Sequence, residues 1–130
     1  MELQKLLKNV EEFQVASGQP VNMSPVLCVP DDYVLRYNLM KEENEEYLES
    51  SEAMDVVEVL DACVDQLYIL LGTVNQHGMQ HVFEEAFNRV HANNMTKVGA
   101  DGKVIRNVYG KILKPEGFVP VDLSDLVEYK

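Results

Sequence analysis

One stretch of this sequence limits what the chain can become. From Ser50 to Gly78 it reads SSEAMDVVEVLDACVDQLYILLGTVNQHG, with no proline to interrupt a helix. Placed at about 100° per residue, Val57, Leu60, Val64, Leu67 and Leu71 cover one side. Val56, Val59, Cys63 and Leu70 carry the apolar surface almost all the way round, and a helix apolar all round is a buried one. Yet Glu58, Asp61 and Asp65 stack on one narrow stripe, at i, i+3 and i+7, in line with Met54, Tyr68 and Gly72. Burying three carboxylates side by side costs several kcal/mol unless they are paired or metal-bound. No lysine or arginine lies between Lys41 and Arg89 to pair with them locally. A cation is the simplest resolution.

The preceding helix supplies the other half. It is expected to begin at Asp31–Asp32, good N-cap chemistry, and to run to about Ser50. Tyr33, Tyr37, Met40, Tyr47 and Leu48 form its apolar stripe, and Glu43 and Glu46 flank that stripe beside Leu35 and Leu39. Glu42 and Glu45 point further outward. Antiparallel packing of the two helices across a short turn lets both carboxylate pairs face one another. Oxygen ligands on two rigid helices suit a hard cation such as Mg²⁺ or Mn²⁺. An acidic run like Glu42–Glu49 is by itself usually a solvated helix face, so the stripe on the apolar helix carries the inference.

The rest of the chain is easier to place. Leu3, Leu6, Leu7, Val10 and Phe13 make residues 2–16 an amphipathic helix stopped near Gly18. Pro20, Pro25 and Pro30 mark an irregular connection over 19–30. The apolar helix spans Ser50–Glu52 to Gly78, and a fourth helix is expected from Met79 to about Lys97. Asp101-Gly102 signals a turn between short β-branched runs, Val98 on one side and Val104 and Ile105 on the other. Gly110, Pro115, Gly117 and Pro120 exclude a long helix in the tail, and residues 122–128 could close with a short one. The expected fold is all-α: a four-helix bundle with a partly extended C-terminal arm, in one domain spanning residues 1–130.

Charge and composition remove several function classes. Of the 22 acidic residues 15 fall in residues 1–65, beside 4 of the 11 basic ones, so the whole net charge of −11 sits there. Such a half repels nucleic-acid phosphates unless something neutralises it. No apolar run approaches the roughly 20 residues of a membrane span. Cys28 and Cys63 match no metal spacing and are too few for a disulfide framework, so a cytosolic chain with reduced thiols is expected.

There is no convincing nucleophile–base pair and no GxxxxGK[ST] phosphate loop. On the fourth helix the stripe Phe83, Phe87, Val90 continues into Asn94 and Lys97, as a stripe leaving the core at a polar site does. Lys97, Lys111 and Lys114 are the phosphate candidates, and Asn94 or Asn93 the sugar or base candidate. His77 and His81 stand at i, i+4, but they straddle Gly78 and lack a HExxH glutamate. They read as exposed polar residues, and His91 as a helix-surface one. Phe13, Tyr33, Tyr37, Tyr47, Tyr68 and Phe87 could each stack on a base.

Glu42-Glu43-Asn44-Glu45-Glu46 followed by Glu58-Val59-Leu60-Asp61 spells EExxE…ExxD. This resembles the all-α nucleoside triphosphate pyrophosphohydrolases, the MazG-like superfamily, which includes phosphoribosyl-ATP pyrophosphohydrolase and dimeric dUTPases. The stretch from Arg89 to Lys97, with Asp101-Gly102-Lys103 and Lys111-Ile112-Leu113-Lys114-Pro115, is similar to its small, often phage-encoded branch. The resemblance covers roughly residues 31–120. It implies metal ligation by Glu43, Glu46, Glu58 and Asp61, with two or more Mg²⁺ or Mn²⁺ ions. Glu42 would serve a further metal or orient the attacking water. The sequence departs from the pattern in a short gap of eleven residues between the motifs and in the extra acid Asp65, a ligand or a hydrogen-bond acceptor behind one.

The implied reaction is hydrolysis of a (deoxy)nucleoside triphosphate to monophosphate and pyrophosphate by a homodimer or homotetramer. Phosphoribosyl-ATP hydrolysis is the enzymatic alternative, set back because the downstream segments look unlike that branch. An acidic mimic or helical adaptor is the alternative from another class. A mimic needs its carboxylates outside.

Overall fold

The computed structural model describes residues 2–128, all-helical apart from turns and one isolated bridge. Five helices follow in order: α1 Glu2–Ala16, α2 Pro30–Glu52, α3 Val56–Gln76, α4 Phe83–Met95 and α5 Ser124–Val127. None is long and apolar enough to cross a membrane. The chain divides at His81/Val82 into two compact units. The fold is all-α as expected; the first unit contains α1, α2 and α3, and the second contains α4 and α5.

In the first unit α3 is the central element, packed most extensively on α2 and less so on α1. Leu7 and Val10 of α1 meet a core that includes Ala62, Leu71 and Val74 of α3. The same seam carries polar groups that satisfy one another, as buried donors and acceptors must. The Gln14 amide donates to the Gly72 carbonyl at 2.9 Å, and the Asn75 amide donates to Leu7 O at 3.0 Å and Gln14 Oε1 at 3.1 Å. Arg36 of α2, also buried, donates through Nε to Thr73 Oγ1 (3.0 Å) and through NH2 to Ile69 O (2.7 Å). Two turns further along α2, Gln66 Nε2 reaches back to Glu43 O at 3.4 Å. Those two links run in opposite chain directions, which makes the α2–α3 hairpin antiparallel and fixes its register.

Several boundaries differ from expectation. Helix α2 starts at Pro30, with Val29 as a cap that offers no side chain. Proline at the first helical position has no donor to lose there. Asp31 and Asp32 sit in the first turn, where their charge still suits the helix dipole. Helix α3 starts later than Ser50–Glu52. Ala53 closes α2, Met54 takes φ 57°, and Asp55 Oδ1 accepts the Glu58 amide hydrogen at 3.2 Å. An N-cap aspartate and one left-handed residue thus make the turn without glycine or proline. Helix α4 begins at Phe83 instead of Met79 and stops at Met95.

Past α3 the chain is held by backbone groups. Gly78, at φ 67°, lies so close to Ser24 that a Cβ there would collide with its carbonyl oxygen. The connection after α1 is pinned beside it. Asn22 Nδ2 donates to Gln76 O, Val26 N donates to His77 O, and the buried Cys28 thiol donates to Gln76 O. His77 is half-buried, with Nδ1 3.0 Å from Val26 O, so it is an anchor for this segment and not the exposed residue expected. His81 and His91 are exposed.

The second unit is tied by Arg89, whose guanidinium holds Asp125 at 2.6 Å and Glu85 at 3.0 Å. Gly99 N donates to Lys103 O around the Asp101-Gly102 turn, as the sequence suggested. The extended pairing lies further on. Arg106 bridges Ile112 in antiparallel fashion, and Leu113 N donates to Ile105 O. Asn107 Oδ1 accepts from the backbone of Tyr109 and Lys111 and so closes that turn.

Candidate metal centre

The hairpin register decides which carboxylates meet. Glu43 lies opposite Asp65, one helical turn separates it from Glu46, and oxygens of all three lie within 4.8 Å of one another. Glu43 and Asp65 are half-buried and Glu46 is exposed. Glu43 Oε2 is shut off from solvent and has no hydrogen-bond partner. No basic side chain among the described residues pairs with the group, since both ion pairs belong to Arg89. Burial, the adjoining Glu46 carboxyl, and the charges of Asp65 and Glu42 push the Glu43 carboxyl up to about 7. Desolvation and like charges both disfavour the ionised form.

An oxygen-only donor set, crowded, unpaired and with one orphaned buried atom, fits a hard divalent cation. Such an ion would supply positive charge that the group lacks, and Glu43, Glu46 and Asp65 are the residues that would hold it. The residues present pass that test.

Of the residues expected to ligate, the structure brings Glu43 and Glu46 together and adds Asp65. Asp61 and Glu58 occupy the same stripe of α3, one and two turns nearer the hairpin, and both are exposed. Their expected burial is not met within one chain, and the reason is plain. Much of α3 itself is uncovered, with Leu60 66% exposed beside Val57, Val64 and Leu67. Glu42 is exposed as well.

The basic candidates lie in the second unit. Lys97 Nζ and Lys114 Nζ stand 5.5 and 5.7 Å from the centroid of the Phe118 ring, and Lys97 also donates to Asn94 Oδ1 at 3.2 Å. Two of the four expected substrate contacts therefore meet on one aromatic ring, and Asn94 is tied to one of them. Lys111 is exposed and is held only by its backbone. Asn93 serves the fold, donating to Val119 O at 2.7 Å. Phe118, which composition and spacing did not single out, also lines an open groove of about 600 Å³ with Arg89 and Val119.

What the site offers is a group of facing carboxylates on two packed helices of an all-α fold. The sequence profile of the phosphoribosyl-ATP pyrophosphohydrolase family matches residues 3–94, and the chain belongs to that family. Its reaction class is accordingly that of a pyrophosphohydrolase acting on nucleotides. Comparison with individual curated proteins gives no match.

Proposed function

We propose that the chain hydrolyses a (deoxy)nucleoside triphosphate to monophosphate and pyrophosphate, using Mg²⁺ or Mn²⁺. The observation that carries this is the unpartnered, solvent-excluded Glu43 Oε2 inside a triad of carboxylates with no basic neighbour. Glu43, Glu46 and Asp65 hold the cation, and Glu58 and Asp61 extend the same stripe for a further ion. When bound, the metal neutralises phosphate oxygens and lowers the pKa of water. The protein's own groups do the positioning. Glu42, exposed next to Glu43, accepts a hydrogen bond from the attacking water and takes its proton. Lys97, Lys111 and Lys114 are assigned to the outer phosphates and Asn94 to the sugar; water is the nucleophile, and in phosphoryl transfer the protein's share is mostly positioning and charge neutralisation.

Two finer readings go with this. The uncovered apolar face of α3 supports a homodimer or homotetramer, because exposed apolar surface of that extent marks an interaction site. Reduced thiols, Cys28 buried and Cys63 free, support a cytosolic setting. A second substrate reading, phosphoribosyl-ATP, is favoured by the name of the matched family; the match stops at Asn94, before the Lys97–Lys114–Phe118 group. Both substrates break the same bond. The test is a panel of dNTPs, NTPs and phosphoribosyl-ATP with Mg²⁺ and with Mn²⁺, products separated by chromatography. Monophosphate with pyrophosphate from a triphosphate is expected. Diphosphate with orthophosphate, or turnover of phosphoribosyl-ATP alone, overturns the proposal.

A further inference from the structure

Beside the carboxylates, in the same unit, lies a smaller pocket of about 220 Å³. Its walls include Phe13 of α1, Leu39 and Arg36 of α2, and Tyr68 and Ile69 of α3. Phe13 and Tyr68 meet edge to face, ring centroids 5.9 Å apart at 71°. Tyr68 follows Asp65 by three residues and Leu39 precedes Glu43 by four, so the pocket opens about 4.5–6 Å along the hairpin from the acidic centre. Arg36 is its one charged wall. Burial lowers the guanidinium's pKa, and no carboxylate among the described residues comes within ion-pair distance of it. Three of its nitrogens donate, to Thr73 Oγ1, Ile69 O and Gln19 Oε1. A guanidinium has five N–H groups, so two take no part in these three bonds.

We propose that this pocket is the nucleobase subsite of the centre, and that Arg36 selects bases presenting a carbonyl oxygen. The proposal rests on the nucleotide reading above. An aromatic pair and two aliphatic walls favour a flat ring, which stacks with little regard to identity. The unused N–H donors add the discrimination, because a buried donor left unpaired by the wrong base is costly. A phosphate is the poorer fit, since the remaining walls are mostly apolar, with only the neutral amides of Gln14 and Gln19 among them, and the carboxylates next door repel it. Uracil, thymine, cytosine and guanine each offer a carbonyl; adenine offers none.

The test uses nucleosides, which carry no phosphate, with EDTA present so that neither metal nor turnover enters. Calorimetric titration of uridine, cytidine, guanosine and adenosine into the full chain should show adenosine weaker by tenfold or more. Phe13→Ala, at an exposed position, should weaken uridine binding about tenfold and raise the KM of the matching nucleotide with kcat little changed. Arg36→Lys should abolish the preference over adenosine. Equal binding of uridine and adenosine overturns the proposal, as does uridine affinity untouched by Phe13→Ala or displacement of uridine by inorganic phosphate. Nucleotide hydrolysis with no base preference removes the pocket and leaves the reaction standing. Base-selective nucleoside binding without hydrolysis of any nucleotide does the reverse.

Discussion

The Arg36 guanidinium lies against Gly72: a Cβ on that glycine would stand 2.6 Å from Arg36 NH2 and 3.0 Å from Gln14 Nε2. A glycine in mid-helix ordinarily costs up to about 1 kcal/mol relative to alanine. Here the missing methyl makes room for two hydrogen-bonded side chains that join α1 and α2 to α3. Gly72→Ala should therefore destabilise the chain, by about 1–3 kcal/mol, against the sign that helix propensity alone gives. Arg36→Met should cost a similar amount, and the double variant less than the sum, because the clash disappears with the guanidinium. Denaturant melts of the four proteins check this.

Glu43 should make apo stability depend on pH in an unusual direction. Its folded pKa, about 7, lies above the ordinary 4.5 of a glutamate, so between those values the native state holds a proton that the unfolded state has released. Stability then falls as pH rises through that window. With EDTA, the wild-type midpoint should drop by a few degrees from pH 5 to pH 8 relative to Glu43→Gln, and saturating Mg²⁺ should restore it by binding only the native state. A wild-type profile parallel to that of Glu43→Gln would remove the carboxyl from this role.

Which acids ligate is decided by comparing charge deletions at constant size. Glu43→Gln, Glu46→Gln and Asp65→Asn should each shrink the Mg²⁺-induced rise in melting temperature and lower activity by orders of magnitude. Glu58→Gln and Asp61→Asn should lower activity comparably if the stripe holds a further ion. Loss of activity there with the thermal response to metal intact would assign Glu58 and Asp61 to substrate contact instead.

The apolar face of α3 predicts self-association. Leu60→Asp with Val64→Lys should leave the α2–α3 seam untouched, since both side chains are more than half exposed. Sedimentation should show an oligomer for the wild type and a monomer for the variant. A monomeric wild type at micromolar concentration would count against it.

Lys97→Ala and Lys114→Ala should raise KM severalfold while leaving metal binding intact, because both contact phosphates in the proposed reading. Unchanged kinetics in both would move the phosphate site elsewhere.

How much of this was legible in the sequence follows from what each feature depends on. Helix periodicity is local, so α1 and the apolar character of α3 could be read from Leu3, Leu7, Val10 and Leu71 directly. The turn at Met54 escapes a local reading because an aspartate N-cap and a left-handed methionine lack the usual glycine and proline marks. Asp55 three residues before the Glu58 amide was the available signal. The partnership of Asp65 with Glu43 depends on hairpin register, set by Arg36 and Gln66 contacts that no single-helix pattern contains. The burial expected for Glu58 and Asp61 was inferred from apolar neighbours, and those neighbours are themselves uncovered in one chain.

That register also bears on how the hairpin tolerates a change of length. Arg36 with Thr73 and Ile69, and Glu43 with Gln66, are two fastenings within the helices, and both lie well away from Met54, which is 90% exposed. The turn closes a path between segments whose alignment is already determined elsewhere. Lengthening such a loop adds little closure entropy, about 0.6 kcal/mol per doubling. Extra residues inserted beside Met54 should bulge outward and leave Glu43 and Asp65 facing each other. A single residue inserted between Gln66 and Ile69 would instead turn everything beyond it by about 100° and part the carboxylates from the buried arginine.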